Sequence, residues 1–319
     1  MREPGFWRHD GLLAHLLQPA AGLYAHAARR LTGSIRAETV PVPVFCIGGA
    51  TVGGSGKTPV AQAVARLLRD ADRRPHLLLR GYGGSLRGPV RVDPAVHDAS
   101  TVGDEALLHA ADGPTWIAQR RAAGARAAIA AGAGCIVLDD GLQHRGLAWT
   151  RSLLVVDGAY GTGNGRTLPA GPLREPWDAA LAKADAVVLI GPDRVGMAGR
   201  LGGRPLIRAE IETCGDTGDL AGRRVVAFAG IARPERFRRT LGGLGTDVAR
   251  FVAFADHHAY RQRELARLHA LAGREQALLV TTAKDAMRIP PGWRARLRVL
   301  GVRLAWQDAP WVAQWLAAS

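Results

Sequence analysis

The sequence predicts an α/β fold: a mostly parallel sheet wrapped by helices, with a second, smaller α/β lobe after it and an amphipathic helix before it. Three observations carry that expectation. From Val42 onward, short apolar runs alternate with helical stretches, the pattern of strand–helix–strand units. A glycine-rich segment, 51–58, lies between the first such run and the first helical stretch. A Gly/Asp/Thr-rich passage, 212–222, reads as a linker, and the alternation resumes beyond it. The expected division is an arm over residues 1–36, a core domain over 37–214 and a smaller domain over 215–319. With 319 residues, 47% of them hydrophobic, the chain can bury a sizeable core in two domains. Disordered and fibrous classes are excluded.

The arm comes first. Leu13, Leu16, Leu17, Ala20, Tyr24, Ala27 and Leu31 recur at helical spacing and share one face. His15, Gln18, Gly22, His26 and Arg29 fall opposite, and Pro19 kinks the segment. Two readings fit this stripe. One is a helix packed on its own domain. The other is a helix lying in a membrane interface, with Phe6 and Trp7 at its start and Arg29, Arg30 and Arg36 at its end. Strands are then expected over 42–47, 76–79, 135–138, 152–156 and 186–190, with helices over 59–69, 104–110, 119–131 and 177–183. Beyond the linker, strands are expected near 225–229, 248–251, 277–281 and 298–304, with helices around 234–241 and 262–271.

Cys46, Cys135 and Cys214 form no C-x-x-C pair, and the first two sit inside apolar runs as small buried hydrophobes do. Asp10, His15, Gln18 and Pro19 interrupt the first apolar stretch, so no secretory signal is read. No uncharged run is long enough to span a bilayer. A reducing compartment facing the cytoplasm is expected. Lys+Arg 42 against Asp+Glu 28 gives a net charge of +14, which favours anionic partners such as nucleotides, nucleic acid or an acidic membrane surface. Aromatic residues make up only 6% and no RNP, KH or zinc-finger pattern occurs, so nucleic acid is not an expected partner. Only three of the basic residues are lysines, Lys57, Lys183 and Lys284, which singles them out.

The strongest local signal is Thr51-Val52-Gly53-Gly54-Ser55-Gly56-Lys57-Thr58, after a strand and before a helix, the context a P-loop requires. Its glycines let backbone N–H groups curl around phosphate oxygens, and the following helix points its positive end at the same anion. Lys57 would reach the β- and γ-phosphates, and the Thr58 hydroxyl would ligate Mg²⁺. Thr51 stands where the general G-x-x-x-x-G-K-[ST] motif has its first glycine. The fold is thus expected to be of P-loop NTPase type. The apolar run 135–138 leads straight into Asp139-Asp140, carboxylates at a strand end where such folds hold a magnesium-associated aspartate. A solvated strand end is the other reading of that pair. The nearest approach to a guanine-reading N-K-x-D element, Ala182-Lys183-Ala184-Asp185, lacks the asparagine and precedes a strand, so guanine is rejected.

Phosphoryl transfer to a hydroxyl wants a base near the acceptor and cations around the γ-phosphate. Asp104 opens a helix, and taken alone it is a helix cap. Asp256-His257-His258, taken alone, is a surface turn. Arg80-Gly81-Tyr82 follows a strand and combines a cation with an aromatic ring, and the loop 161–176 carries Asn164, Arg166, Arg174 and three prolines, as a shaped active-site loop does.

Beyond composition and spacing, the chain resembles the tetraacyldisaccharide 4′-kinase family, the lipid A 4′-kinases of Gram-negative bacteria. The resemblance rests on the variant loop 51–58 followed by Pro59, on Arg80-Gly81-Tyr82 and on Val102-Gly103-Asp104-Glu105. It continues through Asp139-Asp140-Gly141-Leu142-Gln143-His144, Gly163-Asn164-Gly165-Arg166 and Leu168-Pro169-Ala170-Gly171-Pro172-Leu173-Arg174-Glu175. Phe254-Ala255-Asp256-His257 and Thr282-Ala283-Lys284-Asp285-Ala286 complete it. The resemblance implies transfer of the γ-phosphate of ATP to the 4′-hydroxyl of a tetraacylated glucosamine disaccharide 1-phosphate, giving lipid IVA. It implies Asp104 as base, assisted by His257. Lys57, Thr58, Asp139 and Asp140 then serve phosphate and Mg²⁺, Glu105 and Gln143 stand beside the metal, and Arg174 lies near the transferred phosphate. Arg80, Tyr82, Asn164 and Arg166 are the candidates for substrate binding. An anionic glycolipid substrate places the protein peripherally on the cytoplasmic face of the inner membrane and gives the arm and the basic charge a reason. Leu142 stands where the family usually has phenylalanine, and Ala283 where it usually has glutamate. The rival reading is another P-loop ATPase or small-molecule kinase, which would turn over ATP without lipid.

Overall fold

The computed structural model describes residues 4–33, 36–215, 217 and 220–318. The side chains of Arg29 and Leu31 and linker residues 216, 218 and 219 lie outside the described residues. After a short 3-10 turn, Gly5–Arg8, come α1 (Leu12–Leu16) and α2 (Gln18–Gly33). The break at Leu17 puts Pro19 in the first turn of α2, where its missing N–H removes no helical bond. Ala14, Ala21 and Ala25 are buried, whereas Leu13, Leu16 and Tyr24 of the expected stripe are 49%, 68% and 38% exposed. The arm therefore packs through small alanines and leaves its leucine stripe uncovered. The arm does pack on its own domain, but through a face other than the expected stripe.

The amino-terminal half continues with β1 (Val44–Gly49), α3 (Lys57–Asp70), β2 (Pro75–Leu79), β3 (Val90–Arg91), α4 (Ala99–Val102), α5 (Asp104–Ala110), β4 (Thr115–Ile117) and α6 (Arg121–Ala130). It closes with β5 (Cys135–Asp139), β6 (Arg151–Asp157), α7 (Trp177–Leu181), β7 (Ala186–Ile190) and β8 (Leu206–Cys214). The carboxyl half holds β9 (Arg224–Ala229), α8 (Pro234–Gly243), β10 (Asp247–Ala253), α9 (Gln262–Arg274), β11 (Leu278–Thr282), α10 (Ala283–Ala286), α11 (Pro291–Arg294), β12 (Arg298–Trp306) and α12 (Ala309–Ala317).

These strands form one mostly parallel sheet in the order β10-β9-β11-β12-β8-β7-β6-β1-β5-β2-β4-β3. β1 lies between β5 and β6, parallel to both, and is buried at every position. Runs buried on both faces read as unbroken apolar stretches, which is why these central strands were legible. The passage 212–222 is not all linker. Glu212–Cys214 prolong β8 and pair antiparallel with Gly301–Arg303 of β12, because a partner strand supplies the backbone bonds that local composition does not signal. β12 itself pairs with β11 through Arg298–Leu300 and with β8 through Gly301–Trp306, so one strand carries the sheet from one half into the other.

Two packing layers position the loop after β1. Val60, Val64 and Leu68 of α3 pack with Phe45 and Ile47 of β1 and with Val312 and Leu316 of α12, so the last helix lies with the amino-terminal core. Each fully buried side chain of that size contributes about 1.5–3 kcal/mol, enough to hold the base of α3 still. In the carboxyl half alternate β9 residues face opposite layers: Val226 and Phe228 meet Leu265 and Leu268 of α9, while Val225, Ala227 and Ala229 meet Phe237 and Leu241 of α8.

Candidate active site

β1 ends at the middle of the sheet, and the loop that leaves it is braced by the segment before α7. Thr51 bridges to Leu173, and the Val52 amide donates to the Pro172 carbonyl at 2.9 Å. Gly53 and Gly56 have φ of +88° and +93°, a left-handed conformation natural to glycine. A Cβ on Gly56 would also stand 2.4 Å from Ile190 Cδ1 of β7, so the residue is required twice over. α3 starts at Lys57, with Thr58 next in its first turn, and the unpaired N–H groups of that turn face the concave side of the loop. The Ser55 hydroxyl is buried there with no protein partner. From the carboxyl half, Ala232 lies against the loop: a Cβ on Gly53 would sit 3.5 Å from its own Cβ.

The acidic end of β5 divides. Asp140 takes a left-handed backbone, φ 55°, and the two carboxylates meet different partners. Asp139 Oδ2 lies 2.7 Å from Nε2 of fully buried His109, while Oδ1 is buried without a partner. Asp140 accepts two bonds from Arg174 Nη1, at 2.8 and 2.9 Å, and stands 3.8 Å from Lys57 Nζ. Burial alone would raise the Asp140 carboxyl, but Lys57 and Arg174 hold it below the usual carboxylate range. Gln143 extends this network. Its Oε1 accepts from Arg174 at 3.1 Å, and its Nε2 donates to the Gly49 carbonyl at 3.0 Å and to Glu175 at 3.2 Å. Lys183 closes it on Glu175 at 2.5 Å.

The second cluster forms where α5 begins. Gly103 precedes it with φ 89°, and a Cβ there would stand 2.4 Å from the Tyr82 carbonyl oxygen, so the Arg80–Tyr82 turn lies directly on the helix start. Asp104 is 3% exposed, and its Oδ1 accepts from the Glu105 amide at 2.9 Å. Nδ1 of His257, a residue 153 positions away in the loop before α9, lies 3.1 and 3.0 Å from the two carboxylate oxygens. Arg288 Nε makes an ion pair with Asp104 Oδ2 at 3.1 Å. Burial would raise the Asp104 carboxyl, but the His257 hydrogen bond and the charges of Lys284, His257 and Arg288 keep it low. Glu105 is likewise raised by burial and brought down by Lys284, whose Nζ donates to it at 2.8 Å. The Tyr82 ring, exposed, lies 5.3 Å from the His257 ring. His258 points elsewhere: Nε2 lies 3.1 Å from Glu264 Oε2, and its ring stacks on Phe254 at 4.6 Å.

The structure thus brings together Asp104 with His257 and Tyr82, and Lys57 with Asp140, Arg174 and Gln143. Both Glu105 and Asp140 feel the charge of Lys57, which sets the two clusters side by side. Asp139 turns to His109 instead. Asn164 and Arg166 serve the arm. The Asn164 amide donates to the Trp7 carbonyl at 2.7 Å, and Arg166 grips Asp10 at 2.7 and 3.1 Å, His15 at 2.9 Å and Gln18. Arg80 is exposed at the end of β2; burial, with the charges of Arg121 and Arg80, pulls His144 down to about 4. Sequence reasoning missed Arg288, and it quoted Glu175 and Asp285 only as parts of longer motifs, without a role. Arg288 is one of 39 arginines and carries no local signal, whereas the rarity of lysine did single out Lys183 and Lys284. Beside the loop, a groove of about 380 Å³ opens past the end of β7, lined by Gly191, Pro192, Glu210, Trp306 and Gln307 among others.

Among the described residues no three His, Cys, Asp or Glu side chains converge as a ready-made metal cage. Asp140, Glu105 and the Thr58 hydroxyl are hard oxygen donors in the lysine's neighbourhood. Such a set suits Mg²⁺, which usually keeps waters and phosphate oxygens among its ligands.

A glycine loop at the carboxyl end of a central parallel strand, a helix opening on its lysine and an acid at the end of the adjacent strand define a P-loop nucleotide-binding enzyme. The family model for tetraacyldisaccharide-1-P 4′-kinase, LpxK, matches residues 13–319, and the chain belongs to that family. It is 49% identical to the tetraacyldisaccharide 4′-kinase of Paramagnetospirillum magneticum, over 97% of this chain and 96% of that one. With the enzyme of that name from Rhodospirillum centenum it shares 50% identity over 97% and 94% of the two chains. Among solved structures it is similar to the "apo" form of LpxK from Aquifex aeolicus in complex with ATP. The TM-score is 0.77 at 27% identity, covering 96% of this chain and 99% of that one.

Proposed function

We infer that this chain is a kinase transferring the γ-phosphate of ATP to the 4′-hydroxyl of a tetraacyldisaccharide 1-phosphate, with lipid IVA as product. The observation that carries the reading is the Asp104–His257 pair, set beside the P-loop cluster by Lys57 and its two acidic neighbours. Backbone N–H groups of 51–58 cradle the phosphates, Lys57 neutralises the β- and γ-oxygens, and Arg174, swinging from Asp140, steadies the phosphoryl group in flight. The Asp104–His257 pair takes the proton of the acceptor hydroxyl. Thr58, Asp140, Glu105 and Gln143 would hold Mg²⁺, which supplies charge neutralisation between the β- and γ-phosphates. Asp139, held by His109, is the next acid to that set, and its Oδ1 is buried without a partner.

Residues 37–214, with α12 packed on them, and the rest of 215–319 act as two lobes, and the passage between β8 and β9 serves as one strand of a hinge. Asp104 and Lys57 come from the first lobe, His257 and Lys284 from the second. Closure would exclude water from the γ-phosphate and so limit idle hydrolysis. Tyr82, on the rim beside His257, and exposed Arg80 two residues before it meet the substrate. Asn164 and Arg166 act by seating the arm. A test is incubation with ATP, Mg²⁺ and the tetraacyl disaccharide 1-phosphate in detergent micelles, the product read by mass and phosphorus NMR. A second phosphomonoester on the disaccharide is expected. ATP turnover equally fast without lipid, and no phosphorylated lipid, would point to a P-loop ATPase instead.

The enzyme is placed peripherally on the cytoplasmic face of the inner membrane, with the uncovered leucines of α1 and α2 in the interface. No helix among the described residues is long and apolar enough to cross a membrane. Deleting residues 1–30 is expected to leave a folded, ATP-binding protein whose partitioning onto anionic vesicles falls severalfold. Unchanged co-sedimentation with those vesicles would contradict the role given to the arm.

A further inference from the structure

Asp285 is fully buried, yet every hydrogen bond it makes is accounted for. Its Oδ1 accepts from the Gly230 amide at 2.8 Å, from Tyr260 Oη at 2.7 Å and from Arg288 Nη2 at 2.6 Å, and its Oδ2 accepts from Thr282 Oγ1 at 2.6 Å. Arg288 is 5% exposed at its side chain, and its guanidinium also lies over the Tyr260 ring, 5.6 Å from the centroid. Nη1 donates to the His258 carbonyl at 3.0 Å and Nη2 to the Gly230 carbonyl at 2.9 Å. The same Gly230 oxygen accepts the His257 amide at 3.1 Å. The third nitrogen, Nε, stands 3.1 Å from Asp104 Oδ2 as an ion pair without hydrogen-bond geometry.

His257 has φ 57°, a left-handed conformation that costs a non-glycine residue about 1–2 kcal/mol. Its imidazole therefore needs an outside hold to stay on Asp104. A planar guanidinium can grip two carbonyls and a carboxylate at once, which an ammonium cannot. We propose that Arg288, anchored by Asp285, is a positioning residue that locks the His257 turn and the Asp104 carboxylate into one unit across the two halves of the chain. The proposal rests on the reading that this pair takes the acceptor proton. It gives the buried aspartate of the Thr282–Ala286 segment a task remote from both phosphate and lipid.

The test is steady-state kinetics per folded molecule, with ATP-binding stoichiometry counting the folded fraction. Arg288→Ala is expected to lower kcat about 10²-fold, the effect of roughly 1 Å of misplacement, with KM for ATP within about twofold because no P-loop contact is touched. Arg288→Lys keeps charge and bulk but not the fork, and is expected to fold fully with kcat between the two. In a His257→Ala background, Arg288→Ala should lower kcat little further, since both changes disable one unit. A merely structural arginine would act otherwise: kcat per folded molecule would be unchanged in both variants, or its loss would multiply with that of His257→Ala. Either result overturns the proposal. If Asp104→Asn and His257→Ala themselves kept full kcat, the proton-acceptor reading would fail and this inference with it. If those two lost activity and the Arg288 variants did not, this inference alone would fall.

Discussion

Lys57→Ala is expected to remove phosphoryl transfer almost completely, by about 10²–10³-fold or more, while leaving the fold intact. Among the described residues the side chain makes an ion pair with Asp140, at 3.8 Å, and Asp140 keeps its two closer bonds from Arg174 when Lys57 is gone. The helix it opens is held from the other side, by Val60, Val64 and Leu68. Stability and folding signature should therefore hardly change. What is lost is the cation that meets charge developing between the β- and γ-phosphates, and with it much of the affinity for ATP. Thermal unfolding within a few degrees of the parent together with absent turnover is the expected pair of results. Near-native turnover would remove the P-loop from the mechanism.

Asp104→Asn is expected to lower kcat by about 10²–10⁴-fold, the usual contribution of a positioned proton acceptor, with a much smaller change in KM for ATP. The amide is the better replacement than alanine. Removing one partner of a buried ion pair strands the other and costs about 3–5 kcal/mol, and here Arg288 and His257 would both lose the carboxylate they face. Asparagine keeps the shape and the acceptor oxygen but loses the charge that orients His257. Circular dichroism and ATP binding should match the parent. A kcat within twofold would return Asp104 to the role of a buried helix-opening residue.

Much of this fold was legible because its central strands are buried on both faces. The runs expected over 135–138 and 186–190 fall on β5 and β7 almost residue for residue, and the helix expected over 104–110 is α5. β3 and β4 were missed, being two and three residues long and too short for any period to show. β8 was missed as a whole: its half-exposed residues 206–211 were given no strand, and its end fell in the expected linker because Glu212 and Thr213 are polar and only the partner strand β12 makes them a ladder. In the arm the helical period was right, but it could not say whether leucines or alanines face inward. The site divided similarly. The loop 51–58 could be read from its own residues, whereas Asp104 and His257, 153 residues apart, were brought together only by resemblance to a family. Nothing local marks Arg288, whose meaning lies wholly in what it touches.

The central claim is that the acceptor proton leaves through a pair built from both halves of the chain. The two adjacent histidines provide the direct measurement, because they share a loop but not a set of contacts. His257 faces Asp104 at 3.0 Å, while His258 is paired with Glu264 and stacked on Phe254. Single-turnover transfer to the tetraacyl disaccharide 1-phosphate should slow by about 10²-fold or more in His257→Ala, with lipid binding unchanged, and by no more than a few-fold in His258→Ala. Small and equal effects from the two substitutions would contradict the claim and leave the carboxyl half without a part in the chemistry.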